Sequence, residues 1–324
     1  MTQKECNPYP YSDSNKRYQT YDYYLKRTFG GKVAKLPLDG GFSCPNLDGT
    51  CGTGGCIFCS GRGSGDFAPS AVLPIAEQIA VQKRLFSKKW DVSRCLAYFQ
   101  ARTNTYAPVR VLREKFEEAL AQEGIVGINI ATRPDCLPPD TVAYLAELAE
   151  RTAVTVELGL QSSNDETAKR INRGHTFGQF CEAVDRLRHA SGGIRICAHV
   201  IFGLPGEGRD EMLRTVRDMA ELNIHEIKLH LLHVLRGTAL GETYLSGNYR
   251  PLEREEYIGL LADALELLPP ETVICRLTGD GPSSDVLAPL WTKNKRAVLA
   301  AIDKYLAAND LCQGMRYHKE GGAP

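Results

Sequence analysis

The sequence of 324 residues lacks any uninterrupted apolar run of the roughly 18 residues that a membrane-spanning helix needs. It also lacks net charge, because 39 basic and 39 acidic residues balance. Extended nucleic-acid-binding surfaces usually carry a basic excess, so the balance argues mildly against one. The first twenty residues lack the basic-then-apolar order of a secretory signal. We therefore expect a cytoplasmic protein without a membrane segment.

Cysteine, in contrast, is abundant. Eleven cysteines in a chain expected in the cytoplasm are more typically thiols and metal ligands than disulfides. Four of them, Cys44, Cys51, Cys56 and Cys59, lie close together in a glycine-rich stretch. Thiolates are soft ligands that select zinc, copper(I) or iron–sulfur clusters. Their spacing leaves two sites open: a structural zinc bound by all four, or an iron–sulfur cluster bound by three, with one iron free.

Short apolar runs alternate with amphipathic segments over most of the chain. The runs are rich in Val and Ile and predict buried strands at 32–38, 94–100, 125–132, 153–160, 194–202 and 224–232. Two of the segments between them carry one apolar stripe at helical spacing: Val109, Leu112, Phe116 and Leu120 in the first, and Phe177, Phe180, Val184 and Leu187 in the second. Strands that alternate with helices predict a parallel α/β sheet or barrel.

Polar residues follow the predicted strands at their carboxyl ends. The cysteine loop follows the first strand, Gln100 ends the second, Arg133 follows the third and Gln161 ends the fourth. Barrel-type α/β proteins place their active sites where strands end and loops begin, so we expect one shared site. A structural zinc seldom needs that position, which favours the iron–sulfur cluster.

The pattern changes after residue 235. A loop-like stretch is followed by predicted helices near 254–268 and 293–307, with a strand-like run between them that ends in a Gly-Asp-Gly-Pro turn. We predict a leader segment at 1–30, a barrel core at 31–235 and a C-terminal extension at 236–324 packed on the barrel. Within the extension, Arg276, Thr278, Gly279 and Asp280 are expected to close over the barrel mouth. An Arg–Asp ion pair that merely fixes a surface turn is the alternative.

Several motifs resemble those of a known superfamily. The aromatic residue before the last clustered cysteine, Phe58, and the stretches TRPD (132–135), ELGLQS (157–162), NRGHT (172–176) and GLPGE (203–207) resemble the radical S-adenosylmethionine (SAM) superfamily, in particular the branch of the Elongator catalytic subunit. A longer ordered combination is similar to the YhcC/YtqA family: GFSCPNLDGT and GGCIFC, AYFQARTNTYAP, INIATRPDCLP, ELGLQSSNDETAKRINRGH, KLHLLHVLRGT and RLTGDGP. This resemblance spans roughly residues 18 to 300.

The resemblance implies a partial (β/α)6 barrel of the TIM-like type, with a C-terminal α/β extension and a [4Fe–4S] cluster at its open end. It places the three cluster ligands on Cys44, Cys56 and Cys59. Cys51 is extra, because the family typically carries another residue there, and a fourth thiolate would block the open iron. SAM would bind that iron, and reduction of the cluster would cleave SAM to a 5′-deoxyadenosyl radical.

The resemblance also implies which residues contact SAM. Gln161 and Arg173 resemble a pair that grips SAM in related enzymes, and a guanidinium suits a carboxylate. His199 occupies the fifth-strand position that often serves the ribose in relatives; a satisfied core histidine is the alternative. Gln100 and Thr103 stand where many members contact the methionine amine.

For the substrate, the resemblance points to the wobble uridine of tRNA, whose 5-carboxymethylaminomethyl group would be trimmed to 5-aminomethyl before a methyltransferase acts. A groove lined by Arg102, Arg110, Arg113 and Lys293 would hold the anticodon stem-loop by its phosphates. A reductant such as flavodoxin or ferredoxin is the other expected partner. Radical chemistry on a small molecule or a protein is one alternative, and a zinc-stabilised interaction module is the other.

Overall fold

The computed structural model describes residues 9–279 and 284–318. Its strands, in chain order, are Ala34–Leu38 (β1), Cys95–Phe99 (β2), Ile125–Thr132 (β3), Ala153–Gln161 (β4), Ile194–Phe202 (β5), Glu226–Leu231 (β6), Val234–Leu235 (β7), Val273–Arg276 (β8) and Val286–Ala288 (β9). Seven of them form one sheet in the order β1-β2-β3-β4-β5-β6-β8, with every neighbouring pair parallel. Strands β7 and β9 form a separate antiparallel pair. All six predicted strands are confirmed.

The seven-stranded sheet is strongly curved. Lys35 of β1 and Lys228 of β6 both form ion pairs with Glu157 of β4. A flat sheet would place β1 and β6 about 24 Å apart, at five strand spacings. The contact of both ammonium groups with one carboxylate shows that the sheet curls around its inward face. The predicted partial α/β barrel is therefore confirmed.

The two faces of the sheet have different compositions, because successive side chains of a strand point to opposite faces. On β6, Ile227 and Leu229 are fully buried in the main hydrophobic core. Glu226, Lys228 and His230 alternate with them. The apolar face packs beneath the helices, while the polar face lies inside the barrel and supplies the candidate site.

Helices connect and cover the strands. They are Tyr21–Phe29 (α1), Ile75–Phe86 (α2), Val109–Leu120 (α3), Pro139–Ala149 (α4), Asp165–Arg170 (α5), Phe177–Ala190 (α6), Arg209–Glu221 (α7), Ala239–Leu245 (α8), Arg254–Leu267 (α9) and Lys295–Ala308 (α10), with short 3-10 helices at Pro134–Cys136 and Leu290–Lys293. No helix within the described ranges has both the length and the apolar character to cross a bilayer.

Helix α6 shows how local sequence determines an element boundary. The Thr176 hydroxyl accepts a hydrogen bond from the Gln179 backbone, and the Gln179 side chain accepts one from the Thr176 backbone. This capping box satisfies two N–H groups that the first turn leaves without partners. Phe180 and Val184, from the predicted apolar stripe, are fully buried against the sheet.

The C-terminal part of the chain contributes directly to the barrel. Strand β8 hydrogen-bonds to β6, so the sheet has one strand more than the six expected. The hydroxyl of Tyr257, on α9, contacts the carbonyl oxygens of Leu229 at 3.2 Å and Leu277 at 2.9 Å and joins this helix to both strand regions. On its outer edge β8 pairs with the N-terminal segment through Thr20 and Ile274. The predicted helices near 254–268 and 293–307 are confirmed.

Candidate functional site

A cavity of about 600 Å³ opens at the carboxyl ends of the strands. Its volume lies in the range typical of ligand sites. Its wall contains every residue that the sequence assigned to metal or cofactor binding: Cys44, Cys56, Cys59, Gln100, Thr103, Gln161, Arg173 and His199. The structure therefore brings these residues together around one cavity. Their individual roles stay predictions.

The cysteine loop is held in place by short turns and by the segment that follows α5. The backbone N–H of Cys59 donates to the carbonyl of Cys56 at 2.9 Å, and the Asn172 side chain donates to the carbonyl of Gly55 at 2.8 Å. Gly54 and Gly55 have φ values of 78° and 72°. Two successive left-handed residues are readily formed only by glycine, which explains the Gly-Gly pair before Cys56.

The thiols of Cys44, Cys56 and Cys59 face this common cavity. Burial raises the pKa of Cys56 to about 11. Burial, together with the neighbouring Cys56 and Cys44 thiols, raises the pKa of Cys59 to about 12. Buried thiols with pKa values this high lose their protons near neutral pH only when a bound cation compensates the negative charge of the thiolate. Three convergent thiols of this kind fit a [4Fe–4S] cluster with one iron open to a ligand.

Cys51 has a different environment. It lines a second cavity, together with Thr50, Tyr106 and Asp135, and it is exposed. Its sulfur accepts a hydrogen bond from the Arg133 guanidinium at 3.5 Å. The geometry is that expected for a loop residue outside the ligand set, and it does not favour four cysteines around one zinc ion.

Gln161 occupies a strained position at the end of β4. Its φ of 66° is uncommon for a residue with a side chain, and the register with β5 shifts between Gly159 and Gln161. The amide, oriented so that its nitrogen donates, bonds to the carbonyl oxygens of Gly159 at 3.2 Å and Leu160 at 2.9 Å. Strained residues of this kind are often found at functional sites, which agrees with the predicted contact to SAM.

Arg173 is buried, with 1% of its surface exposed. Its guanidinium donates to the carbonyl oxygens of Leu160, Ser162 and His175 and lies 3.5 Å from Asp165. Burial lowers the pKa of Arg173 to about 10. These partners brace the end of β4, so a direct contact with the SAM carboxylate would require Arg173 to exchange one of them. That contact stays a prediction.

Gln100 and Thr103 connect the loop after β2 to the cysteine loop. The backbone N–H of Gln100 donates to Leu38 at 3.1 Å, and that of Thr103 donates to Ser43 at 3.3 Å. Ser43 immediately precedes Cys44. Thr103 therefore lies beside Cys44, the first predicted cluster ligand, whereas Gln100 is bonded to the end of β1; contact of either residue with the SAM amine stays a prediction.

His199 lies within β5 and not at its carboxyl end, so its side chain is deeper in the cavity than those of the loop residues. Its Nε2 atom is 2.9 Å from a carboxylate oxygen of Glu157, and its side chain is 18% exposed. Burial, reinforced by the Lys228 ammonium, lowers the pKa of His199 to about 4. The ring is therefore neutral at pH 7, and a ribose contact stays a prediction.

Around Glu157 the barrel contains a charge cluster that sequence reasoning missed. The Glu157 carboxylate is fully buried and contacts Lys35, Lys228, His199 and Asn129. Burial alone would raise the pKa of Glu157, but Lys228, Lys35 and His199 together hold it well below its usual range. The sequence contains a signal for this cluster. Charged and imidazole side chains recur at every second position of β6, although the run as a whole reads as an apolar strand.

The C-terminal motif reaches the same cavity. Arg276 and Gly279 form part of its wall, and Thr278 is buried. Asp280 lies outside the described residues, as does its predicted pairing with Arg276. A role of this segment in closing over the barrel mouth stays a prediction.

Family models match most of the chain. The radical SAM superfamily matches residues 49–219, and the Radical_SAM C-terminal domain matches residues 224–308. Members of this superfamily use a [4Fe–4S] cluster and SAM. The solved structure of an archaeal Elp3 from Methanocaldococcus infernus, with an N-terminal deletion, has the same fold: its TM-score is 0.64 at 19% identity, over 90% of this chain and 68% of that chain.

Curated relatives agree with the family models. YtqA from Bacillus subtilis is 50% identical over 313 residues, which is 97% of each chain. YhcC from Escherichia coli is 40% identical over 283 residues, covering 87% of this chain and 90% of YhcC. Human Elongator complex protein 3 is 29% identical over 200 residues, covering 60% of this chain but 35% of that protein. The chain therefore belongs to the radical SAM superfamily and, within it, to the group of YtqA and YhcC.

Proposed function

We propose that this radical SAM enzyme acts on the wobble uridine of tRNA and converts a 5-carboxymethylaminomethyl group to 5-aminomethyl. The proposal rests on the substrate that the resemblance to the YhcC/YtqA family implies, and the observation that carries it is the 50% identity with YtqA over 97% of both chains, which places this chain in that group. The similarity to Elongator complex protein 3 supports the same class of substrate.

The cofactor site would be built from the residues that line the cavity. Cys44, Cys56 and Cys59 would hold the cluster, which when bound and reduced supplies the electron that cleaves SAM to a 5′-deoxyadenosyl radical. Gln161, held at the mouth by its left-handed backbone, would orient SAM. The polar wall would hold the substrate for hydrogen abstraction from the carboxymethyl carbon. Loss of one further electron from that carbon, with the oxidised cluster as the acceptor, and hydrolysis of the resulting imine would release the two carbons as glyoxylate and leave the 5-aminomethyl group.

The cavity suits a nucleobase removed from its stack. Enzymes that modify a base take it out of the stack into a pocket, and anticodon-loop bases are already unpaired. A volume of about 600 Å³ has room for a base beside the cofactor.

Support from the predicted basic groove is partial. Arg102 lines the cavity mouth, and its guanidinium donates to the carbonyl of Gly61 at 2.7 Å. Arg110 and Lys293 are exposed. Arg113 forms a bidentate ion pair with Glu147 on the surface, which a phosphate would have to displace. We propose Arg102 as the principal contact to the stem-loop backbone.

The test is anaerobic reconstitution followed by nucleoside analysis. Protein with about four irons is incubated with SAM, a flavodoxin or ferredoxin reductant and tRNA bearing 5-carboxymethylaminomethyl-uridine. The expected result is SAM-dependent formation of 5-aminomethyl-uridine, the substrate for a downstream methyltransferase. Cys44→Ala is the matched inactive control.

Two results would contradict the proposal. A protein that retains one tightly held zinc and no iron would indicate an interaction module. Formation of 5′-deoxyadenosine with no change in the tRNA nucleosides would instead indicate a small-molecule or protein substrate.

A further inference from the structure

The interior of the barrel holds an excess of positive charge. Lys35 contacts one oxygen of Glu157 and Lys228 contacts the other, so two ammonium groups share one carboxylate. The Lys228 side chain is 4% exposed and the Glu157 side chain is fully buried. Leaving a buried charge uncompensated is strongly unfavourable, so the cluster favours an additional anion.

Lys228 is also part of a larger polar surface of the cavity wall. It is the register partner of Arg276 on the neighbouring strand, and paired residues of adjacent strands project from the same face of a sheet. His230, two residues further along β6, is on that face as well, and its ring lies 5.4 Å from that of His199. We refer to Lys228, His230 and Arg276, all of which line the cavity, as the Lys228 face.

Few acidic groups in the described part of the cavity wall face Lys228. Among the described residues that line the cavity, the carboxylates are Glu157 and Asp66. Asp66 belongs to the loop after the cysteines, whereas the Lys228 face belongs to the strands. The second hydrogen-bond partner of the Lys228 ammonium is the Tyr98 hydroxyl, at 3.0 Å, which adds no negative charge.

We propose that the Lys228 face is a subsite for a carboxylate of the substrate, with Lys228 as the main contact and Arg276 and His230 beside it. The identity of that carboxylate rests on the proposed function, in which the substrate side chain ends in a carboxymethyl group. Arg and Lys together suit a carboxylate, since the guanidinium pairs with both oxygens and the ammonium adds a point charge.

A backbone phosphate fits this position less well. Each backbone phosphate of a nucleic acid lies between two sugars, so it stays on the protein surface that binds the nucleic acid. The carboxylate at the end of a base side chain is the part of the substrate that penetrates furthest into a pocket. The almost complete burial of Lys228 therefore favours the side-chain carboxylate.

The experiment measures binding without turnover. Reconstituted enzyme loaded with SAM, with its cluster oxidised, is titrated calorimetrically with the nucleoside 5-carboxymethylaminomethyl-uridine and with its primary amide. We expect the wild-type enzyme to bind the carboxylate roughly ten- to a hundredfold more tightly than the amide, because a charged hydrogen bond is lost in the amide. Lys228→Met should abolish this preference, and Lys228→Arg should retain most of it.

Lys35→Met is the matched control. Lys35 contacts the other oxygen of Glu157 but is not among the described residues that line the cavity. The substitution removes one charge from the same carboxylate but leaves Lys228 in the cavity wall, so it should weaken the preference for the carboxylate ligand without abolishing it. Melting temperatures and iron contents of all variants show whether each is folded, and Arg276→Gln provides a second test if Lys228→Met does not fold.

Three outcomes would overturn the subsite. The first is that wild type and Lys228→Met prefer the carboxylate nucleoside over its amide to the same degree. The second is a loss of SAM affinity in Lys228→Met with the preference unchanged, which would assign the face to the carboxylate of SAM. The third is Lys228-dependent binding of uridine 5′-monophosphate that exceeds binding of the carboxylate nucleoside, which would assign the face to a phosphate.

The subsite and the proposed function can fail separately. A Lys228-dependent preference in an enzyme that leaves tRNA unchanged would support the subsite and contradict the tRNA substrate. Full processing of tRNA by an enzyme without any preference would support the substrate and overturn the subsite.

Discussion

Arg133 donates a hydrogen bond from Nη1 to the backbone carbonyl oxygen of Arg173 at 2.7 Å. Arg133 follows β3 and Arg173 follows α5, so the bond joins two loops at the cavity. The same guanidinium forms a bidentate ion pair with Asp135, at 2.9 Å and 2.7 Å, and both side chains are largely buried. Arg133 therefore acts as a brace that holds the Arg173 loop against the cysteine loop.

Removal of this brace should destabilise the protein measurably. We expect Arg133→Gln to lower the free energy of unfolding by about 3 kcal/mol, because it leaves Asp135 and the Arg173 carbonyl without a buried partner. Urea unfolding of the reconstituted protein measures the change. The control is Arg113→Gln, which removes an equally bidentate but solvent-exposed pair with Glu147 and should cost much less stability. Equal losses in the two variants would contradict the prediction.

The cysteines should separate into two groups. We expect Cys44→Ala, Cys56→Ala and Cys59→Ala each to lose the cluster, because these thiols face the main cavity, and Cys51→Ala to retain it, because Cys51 faces the other cavity. Iron content and 5′-deoxyadenosine formation under reductant are the measurements. Loss of iron in Cys51→Ala with retention in Cys44→Ala would show that the ligand assignment is wrong.

The side chain of Gln161 should contribute to SAM binding. Gln161→Ala and Gln161→Gly both remove the amide, but only glycine relieves the left-handed backbone, which costs other residues about 1–2 kcal/mol. We expect both variants to bind SAM roughly ten- to a hundredfold more weakly, with iron content unchanged and with the Gly variant the more stable. Calorimetry with SAM tests this. An unchanged affinity in both variants would remove Gln161 from the cofactor site.

Acid should destabilise the fold from about pH 6.5 downward, in part through His199. The pKa of His199 falls from 6.5 to about 4 on folding, first because of burial. The unfolded chain therefore binds the proton more readily, so stability is complete above pH 6.5 and is lost as the pH falls toward 4. Between pH 7 and pH 5 this single group should cost about 2 kcal/mol in wild type.

His199→Gln should show a shallower decline in urea unfolding over the same pH range. The substitution retains a side-chain amide that is able to donate to Glu157 while it removes the titrating ring. An identical pH slope in wild type and His199→Gln would contradict the assignment of this effect to His199.

The six strands of the barrel were predictable from the sequence because each is a short run of Val, Ile and other apolar residues. The seventh, Val273–Arg276, lies in the strand-like run predicted before the Gly-Asp-Gly-Pro turn, but its place in the barrel sheet was not predicted, because that place is set by pairing with β6. The grouping of Cys44, Cys56 and Cys59 without Cys51 was implied by the family resemblance, because the spacing alone left a site of four cysteines open. Cys51 lines a different cavity because of the path that the loop takes, and the spacing of the cysteines in the sequence does not determine that path.

The charge cluster around Glu157 was predictable only in part. Glu157 itself is conspicuous at the fourth strand, but Lys35 and Lys228 come from strands five positions apart in the sheet. Their meeting depends on the curvature of the sheet, which arises from strand twist and helix packing rather than from any local pattern.

The pairing of β8 has a consequence for the order in which the molecule is assembled. The cysteine loop is complete early in synthesis, whereas β6 keeps one edge unpaired until residues 273–276 have emerged. The outer edge of β8 then pairs with Thr20, so the segment before β1 can join this edge only after β8 has been made. Contacts of such long sequence separation form slowly, and an open strand edge is prone to aggregation. The wall that carries Arg276 is therefore synthesised after the rest of the described cavity wall, and the cysteine loop emerges before the barrel is able to close around it.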